Sequence, residues 1–334
     1  MNLKPKRDED KNVVRLFFVF VGVFILMGLL KPALFLRSAN FISMATQFPE
    51  YGLMAIGVSL AMVSGGIDLA VVSTANLSAI VAAKYLLAAV PQGAPAGETL
   101  NFILMAVVLA LVVGILAGCF NGFLVAWLRI PPILATLGTQ QLFTGIAIVI
   151  TQGRPLSRLP ILYSRIGNTE LFGFLPVPLI IYVTAAIVIG IILGKTSFGL
   201  RLYLVGTNPK SALYAGIENK IILLKTYLIS GLLSSIAGLI MMARANSAKA
   251  DYGAAYTMQC VLIAVLGGVN PSGGFGTIRG ITLAVLILQF LSSGLNMFER
   301  ISNFYRDIIW GGVLIIALIS NWLIARHNNK RYRK

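Results

Sequence analysis

SGGIDLAVVSTANLSAIVAA, Ser64–Ala83, places a glycine pair and a carboxylate, Asp68, between two apolar runs. The run before it covers Ser43–Val63 and the run after it Leu69–Val90, and a hydrocarbon core takes about 20 residues of helix. Glycine weakens a helix and bares its backbone groups. In lipid such groups need partners, so a break of this kind belongs where protein or a water-filled path surrounds it. A second break, Gly267-Gly268-Val269-Asn270, continues into Pro271-Ser272-Gly273-Gly274-Phe275-Gly276. Both follow an even-numbered span, which predicts a position toward the cytoplasmic side and a same-direction internal repeat.

Outward from these breaks the chain remains apolar. Its 334 residues are 57% hydrophobic and only 11% charged, with mean hydropathy +0.87. A soluble domain carries about 25% charged residues, so this composition cannot cover a globule with a polar surface. The predicted fold is all-α: one transmembrane helical bundle over residues 1–334, with about ten spans and a range of eight to ten. They are placed at Val13–Leu30, Ser43–Val63, Leu69–Val90, Phe102–Leu128, Ile133–Thr151, Val177–Leu193, Ile221–Met242, Tyr256–Leu266, Ile281–Met297 and Ile308–Ala325. The basic N-terminal residues precede a long apolar stretch with no small-residue cleavage site, so the first span reads as retained.

The net charge of +16 would suggest nucleic acid in a soluble protein. Here the cations sit at the ends of apolar runs, which points to membrane orientation and no nucleic-acid partner. With an even span count, one side collects 17 Lys and Arg and the other 10. The richer side is predicted to be cytoplasmic, with both termini. The longest outer loop carries Arg154, Arg158 and Arg165, with prolines flanking a short amphipathic stretch.

Chemistry-bearing residues are few. Cys119 and Cys260 lie within apolar runs and read as packing residues, and His327 is the sole histidine, in the basic tail. No metal site, cofactor or catalytic constellation is expected. The Gly190–Thr196 stretch lacks the spacing of a phosphate loop and follows a span, not a strand. The Gly273–Gly280 stretch lacks dinucleotide-loop spacing, so any ATP is hydrolysed by another chain.

Asp68 has three readings: a cap on the third helix, a residue lining the path, or a proton-coupling group. Asn76, Asn121, Thr139, Gln141 and Asn270 are the further candidates for a translocation path, beside Gln140 and Thr144. Each alone is also an ordinary interhelical hydrogen bonder. The inner connection 195–220 is too polar to span. Thr207-Asn208-Pro209 starts a helix there, Lys210–Ile217 makes about two turns with Leu213 and Ile217 at i,i+4, and Gly216 sits at its end.

Four stretches resemble the ribose-, xylose- and galactose-type permeases of ABC importers: Ser64–Ala83, NGFLVAWLRIPPILATLGT at Asn121–Thr139, GLRLYLVGTNPKSALYAGI at Gly199–Ile217, and VLGGVNPSGGFGTIRG at Val265–Gly280. They cover about 75 residues in the family's order. Asn246–Met258 is similar to the autoinducer-2 importer branch. Departures are Val71-Val72 before Ser73 and Lys210 beside Pro209. The resemblance implies a permease, not an enzyme, of the bacterial cytoplasmic (inner) membrane that translocates a small sugar or sugar-like molecule. It implies cytoplasmic ATPase subunits, a second permease chain, a periplasmic or lipid-anchored sugar-binding protein, and membrane lipid as partners. It also implies that Gly206, Asn208, Ala212, Leu213 and Gly216 form the coupling segment for the ATPase. An ion-coupled secondary transporter is the alternative, with Asp68 as its coupling group.

Overall fold

The computed structural model describes residues 4–91, 96–171 and 173–298, with positions 308, 311, 312 and 315. The chain forms α1 (Lys4–Leu30), α2 (Pro32–Phe35), α3 (Ser38–Val63), α4 (Val71–Ala89), α5 (Ala96–Ala126) and α6 (Pro132–Thr151). It continues as β1 (Leu156–Ser157), α7 (Ile161–Asn168), β2 (Glu170–Leu171), β3 (Leu175–Pro176), α8 (Val177–Lys195), α9 (Ser197–Thr207) and α10 (Pro209–Tyr214). It closes with α11 (Asn219–Ala245), β4 (Ser247–Ala248), α12 (Tyr256–Leu266) and α13 (Ile278–Leu295). Among the described residues, seven helices are long and apolar enough to cross a membrane: α1, α4, α5, α6, α8, α11 and α13. The predicted span Ile308–Ala325 falls outside the continuously described residues.

The segment predicted as Ser43–Val63 is the 26-residue α3, too polar to rank with those seven because it carries Gln47 and Glu50. It also holds the longest unbroken buried run of the described helices, every residue from Phe48 to Val63. α4, α8, α11, α12 and α13 pack around it, so Glu50 and Ser59 are shielded from lipid. α12 has only 11 residues, as its short apolar run predicts.

The α5–α11 contact rests on glycine. Gly114, Gly118 and Gly122 recur every four residues on one face of α5. A side-chain carbon on Gly118 would lie 2.9 Å from Cα of Leu228, and one on Gly122 2.9 Å from Cα of Leu224. Small residues at this spacing let two backbones approach and gain dispersion contact. The four-residue glycine spacing is legible in the chain itself.

Between α6 and α8 the proline-flanked stretch forms α7, bounded by two small ribbons. β1 pairs antiparallel with β4 (Leu156 opposite Ala248), and β2 with β3 (Glu170 opposite Pro176). The inner connection differs from expectation. It holds two helices, α9 and α10, and the second ends at Tyr214 rather than Ile217. Leu213 and Ile217 do not share a stripe: Leu213 is exposed, and Ile217, past the turn at Gly216, is buried in the main core.

Candidate functional site

Three helix ends share one local geometry. The N–H groups of Gly65 and Gly66 donate to Met62 O (2.9 Å) and Ala61 O (3.0 Å). Those of Gly268 and Val269 donate to Val265 O and Ala264 O, both at 3.0 Å. Those of Gly216 and Ile217 donate to Leu213 O and Ala212 O, again at 3.0 Å. This is the paired bond pattern of a helix stop with a left-handed residue, which glycine adopts without steric cost. φ is +90° at Gly65, +85° at Gly268 and +77° at Gly216. The two breaks therefore correspond with Gly65 matched to Gly268, one residue out of step with a simple alignment of the two glycine pairs.

The breaks also meet. The N–H of Gly274 donates to Val63 O at 2.9 Å, satisfying one of the carbonyls that α3 leaves free at its end. Asn270 shapes the loop that delivers it: its Oδ1 accepts from Ser272 N (3.0 Å), its carbonyl from Gly273 N (2.9 Å), and its N–H donates to Phe275 O (3.0 Å). α9 closes over both breaks. Tyr203 donates its hydroxyl to Gly276 O at 2.6 Å. A side-chain carbon on Gly206 would overlap Val63 O and lie 2.6 Å from Gly274 N. Gly206 thus touches the breaks, whereas Leu213 and Tyr214 point away from the chain at 62% and 91% exposure. Asn208 caps α10, its Oδ1 accepting from Lys210 N and Ser211 N at 3.1 Å each, while Ala212 is buried on the inner side.

Asp68 lies buried in the first break. Its Oδ1 accepts from Ala70 N–H at 3.0 Å, just before α4, and its Oδ2 accepts the hydroxyl of Ser230 on α11 at 2.7 Å. Both oxygens are engaged within the chain. Beside the same break, Thr136 on α6 donates to Ile67 O at 3.0 Å.

Asn76 is buried on α4, where its Nδ2 donates to Ala250 O and Tyr252 O, both at 2.9 Å. These carbonyls belong to the non-helical segment 246–255, which turns back into the bundle after α11 with Ser247, Ala248 and Ala250 buried. Asn246 begins the turn at φ +49°, and Ser247 and Tyr252 share a hydrogen bond of 2.7 Å. Just before the turn, Arg244 forms an ion pair with the fully buried Glu50 of α3. Neighbouring Tyr51 donates to Gln289 of α13. In the same loop Lys249 Nζ lies 2.9 Å from Asp251 Oδ2, and that hydrogen bond raises the lysine's pKa. Glu50 lies inside the predicted span Ser43–Val63, and an acid within a span is itself a signal that could have singled it out; its partner Arg244 carries no such local mark.

The remaining candidates are dispersed. Asn121 is buried on α5, its Oδ1 unpartnered among the described residues. Thr139 is buried on α6 and donates to Thr136 O at 3.2 Å. Gln141, on the same helix, is exposed, with Gln140 and Thr144 half-buried. Asn270 is exposed in its loop. The two cysteines are free, with Cys260 fully buried and half-buried Cys119 beside the α5 glycines.

Membrane-length helices around the buried α3, with two broken helices tied to an external elbow, are the architecture of a polytopic helical membrane protein. The chain belongs to the family described as "Branched-chain amino acid transport system / permease component", matched over residues 40–318. It is 33% identical over 324 residues to the ribose import permease protein RbsC of Bacillus subtilis (strain 168), covering 96% of each chain. It is 32% identical over 295 residues to the autoinducer 2 import system permease protein LsrD of Escherichia coli (strain K12), covering 83% of this chain and 86% of that one. No solved structure matches it. The chain is a multi-pass permease of the bacterial inner membrane, and ATP hydrolysis belongs to a separate subunit.

Proposed function

We propose that this permease imports a small sugar or sugar-like molecule, with ribose and autoinducer-2 importers as the relatives that support the substrate class. It works with a second permease chain, cytoplasmic ATPase subunits, and a periplasmic or lipid-anchored binding protein. In this reading about ten spans cross the membrane and both termini are cytoplasmic. Residues 195–220 form the coupling segment, with Asn208, Ala212 and Gly216 shaping α10 for the ATPase and Leu213 presented to it. The path runs along the face of α6 that carries Gln141. A bare amide within a span is costly against lipid, so a partner chain or water belongs there. Asp68, Asn76, Asn121, Thr139 and Asn270 support the walls of that path rather than line it together.

The observation that carries this reading is the apolar tip of α10. Leu213 and Tyr214 stand outside the chain on a helix fixed at both ends, by Asn208 and by Gly216. A helix that only capped the bundle would turn these side chains inward. Leu213→Glu is expected to leave the melting temperature of the isolated permease unchanged and to reduce co-purification with the ATPase. Unfolding of the isolated variant, or full assembly with it, overturns the docking assignment. Reconstitution separates the two transport classes. The chain alone in vesicles is expected to be inert toward labelled ribose under a proton or sodium gradient, whereas a secondary transporter would accumulate its substrate.

A further inference from the structure

We propose that α9 carries the motion of α10 directly to both glycine breaks, with Tyr203 and Gly206 as positioning residues of the transport cycle. The inference rests on the reading of α10 as the ATPase-docking helix and adds the route by which docking reaches the membrane segments. α9 and α10 are joined by the single residue Asn208. Its N–H donates to Leu204 O at 3.1 Å, its carbonyl accepts from Ala212 N at 3.0 Å, and its side chain caps α10. The pair therefore moves as one elbow. On its inner side the elbow meets bare backbone. Gly206 lies against Val63 O and Gly274 N, while a side-chain carbon on Gly273 would lie 2.6 Å from Gly206 O and 2.9 Å from Cα of Gly65. A side-chain carbon on Gly274 would likewise lie 2.9 Å from Cα of Thr207.

Side chains absorb small displacements by changing rotamer, but backbone against backbone has no such slack, and packed interfaces shift between discrete arrangements instead of deforming. The Tyr203–Gly276 and Gly274–Val63 hydrogen bonds complete a ring from α9 to the second break, to the end of α3, and back to α9. α3 is the buried pillar of the bundle, and α12 runs into the second break. A displacement of α9 therefore reaches both at once, without passing through the exposed helices.

The test is hydrogen–deuterium exchange on the full-length permease with its ATPase in lipid nanodiscs, with and without Mg-ATP and vanadate. In the wild-type complex, nucleotide is expected to change exchange in peptides covering 209–216, 63–68 and 272–277 together. Tyr203→Phe removes only the hydroxyl. It is expected to leave the change at 209–216 intact and to reduce the change at both breaks about five-fold, the weight of one ordinary hydrogen bond. Gly206→Ala is expected to do the same and also to raise exchange at Gly274 in the isolated permease. If Gly206→Ala does not fold, Tyr203→Phe decides alone. Breaks that ignore nucleotide while 209–216 responds, or that respond equally in Tyr203→Phe, overturn the relay and leave the docking reading standing. No response at 209–216 in the wild type overturns the docking reading and the relay with it.

Discussion

The hydroxyl of Ser230 on α11 donates to Oδ2 of Asp68 at 2.7 Å, while Oδ1 of the same carboxylate accepts the N–H of Ala70. The carboxylate thus ties a broken helix to a continuous one. Asp68→Asn keeps an acceptor for Ala70 and is expected to keep the fold and most transport. Asp68→Ala leaves a buried hydroxyl and a buried N–H unpaired and is expected to lower stability by about 1–3 kcal/mol. Thermal melting in detergent checks both. Uptake reduced to background by Asp68→Asn in a normally folded protein would instead make the charge itself functional.

The Glu50–Arg244 ion pair yields a sharper stability expectation. Removing one partner of a buried pair strands a charge and costs roughly 3–5 kcal/mol. Arg244 is 32% exposed and so partly screened by water, and Arg244→Met is expected at or below the lower end of that range. The double variant Glu50→Gln with Arg244→Met is expected to recover most of the loss, because no stranded charge remains. Additive losses in a double-mutant cycle would mean that the pair is not the interaction that matters there.

Asn76 holds the returning segment 246–255 through two carbonyls. Asn76→Leu keeps the volume and removes both donors, and is expected to cost about 2 kcal/mol. The loss is local, so trypsin is expected to cleave after Lys249 faster than in the wild type. Unchanged cleavage together with unchanged melting would show that the segment is held by other contacts.

Orientation is testable without a substrate. A cytoplasmic-type reporter fused after Lys334 is expected to be active, because the cation bias predicts both termini inside. Strong activity from a periplasmic reporter at the same point would require an odd number of spans.

Hydropathy by itself determined the class of this protein, because lipid admits only helices and closed barrels with internally satisfied backbones, and apolar runs of about 20 residues select helices. It located nine of the ten predicted segments on helices of the described chain, and Asn208, Pro209 and Gly216 marked the limits of α10, since capping and left-handed stops are local chemistry. Hydropathy was weakest at α3. A helix enclosed by protein is under no pressure to be apolar, so α3, buried along its whole second half, fails the apolar criterion. Only the tertiary structure decided which polar side chains are structural. Asp68 accepts the hydroxyl of Ser230 from α11, Asn76 donates to the carbonyls of Ala250 and Tyr252, Glu50 meets Arg244 across the bundle, and Gly206 is a glycine because Val63 and Gly274 occupy the space of its side chain. Such partners are set by three-dimensional packing between residues far apart in the chain, and no local pattern records them.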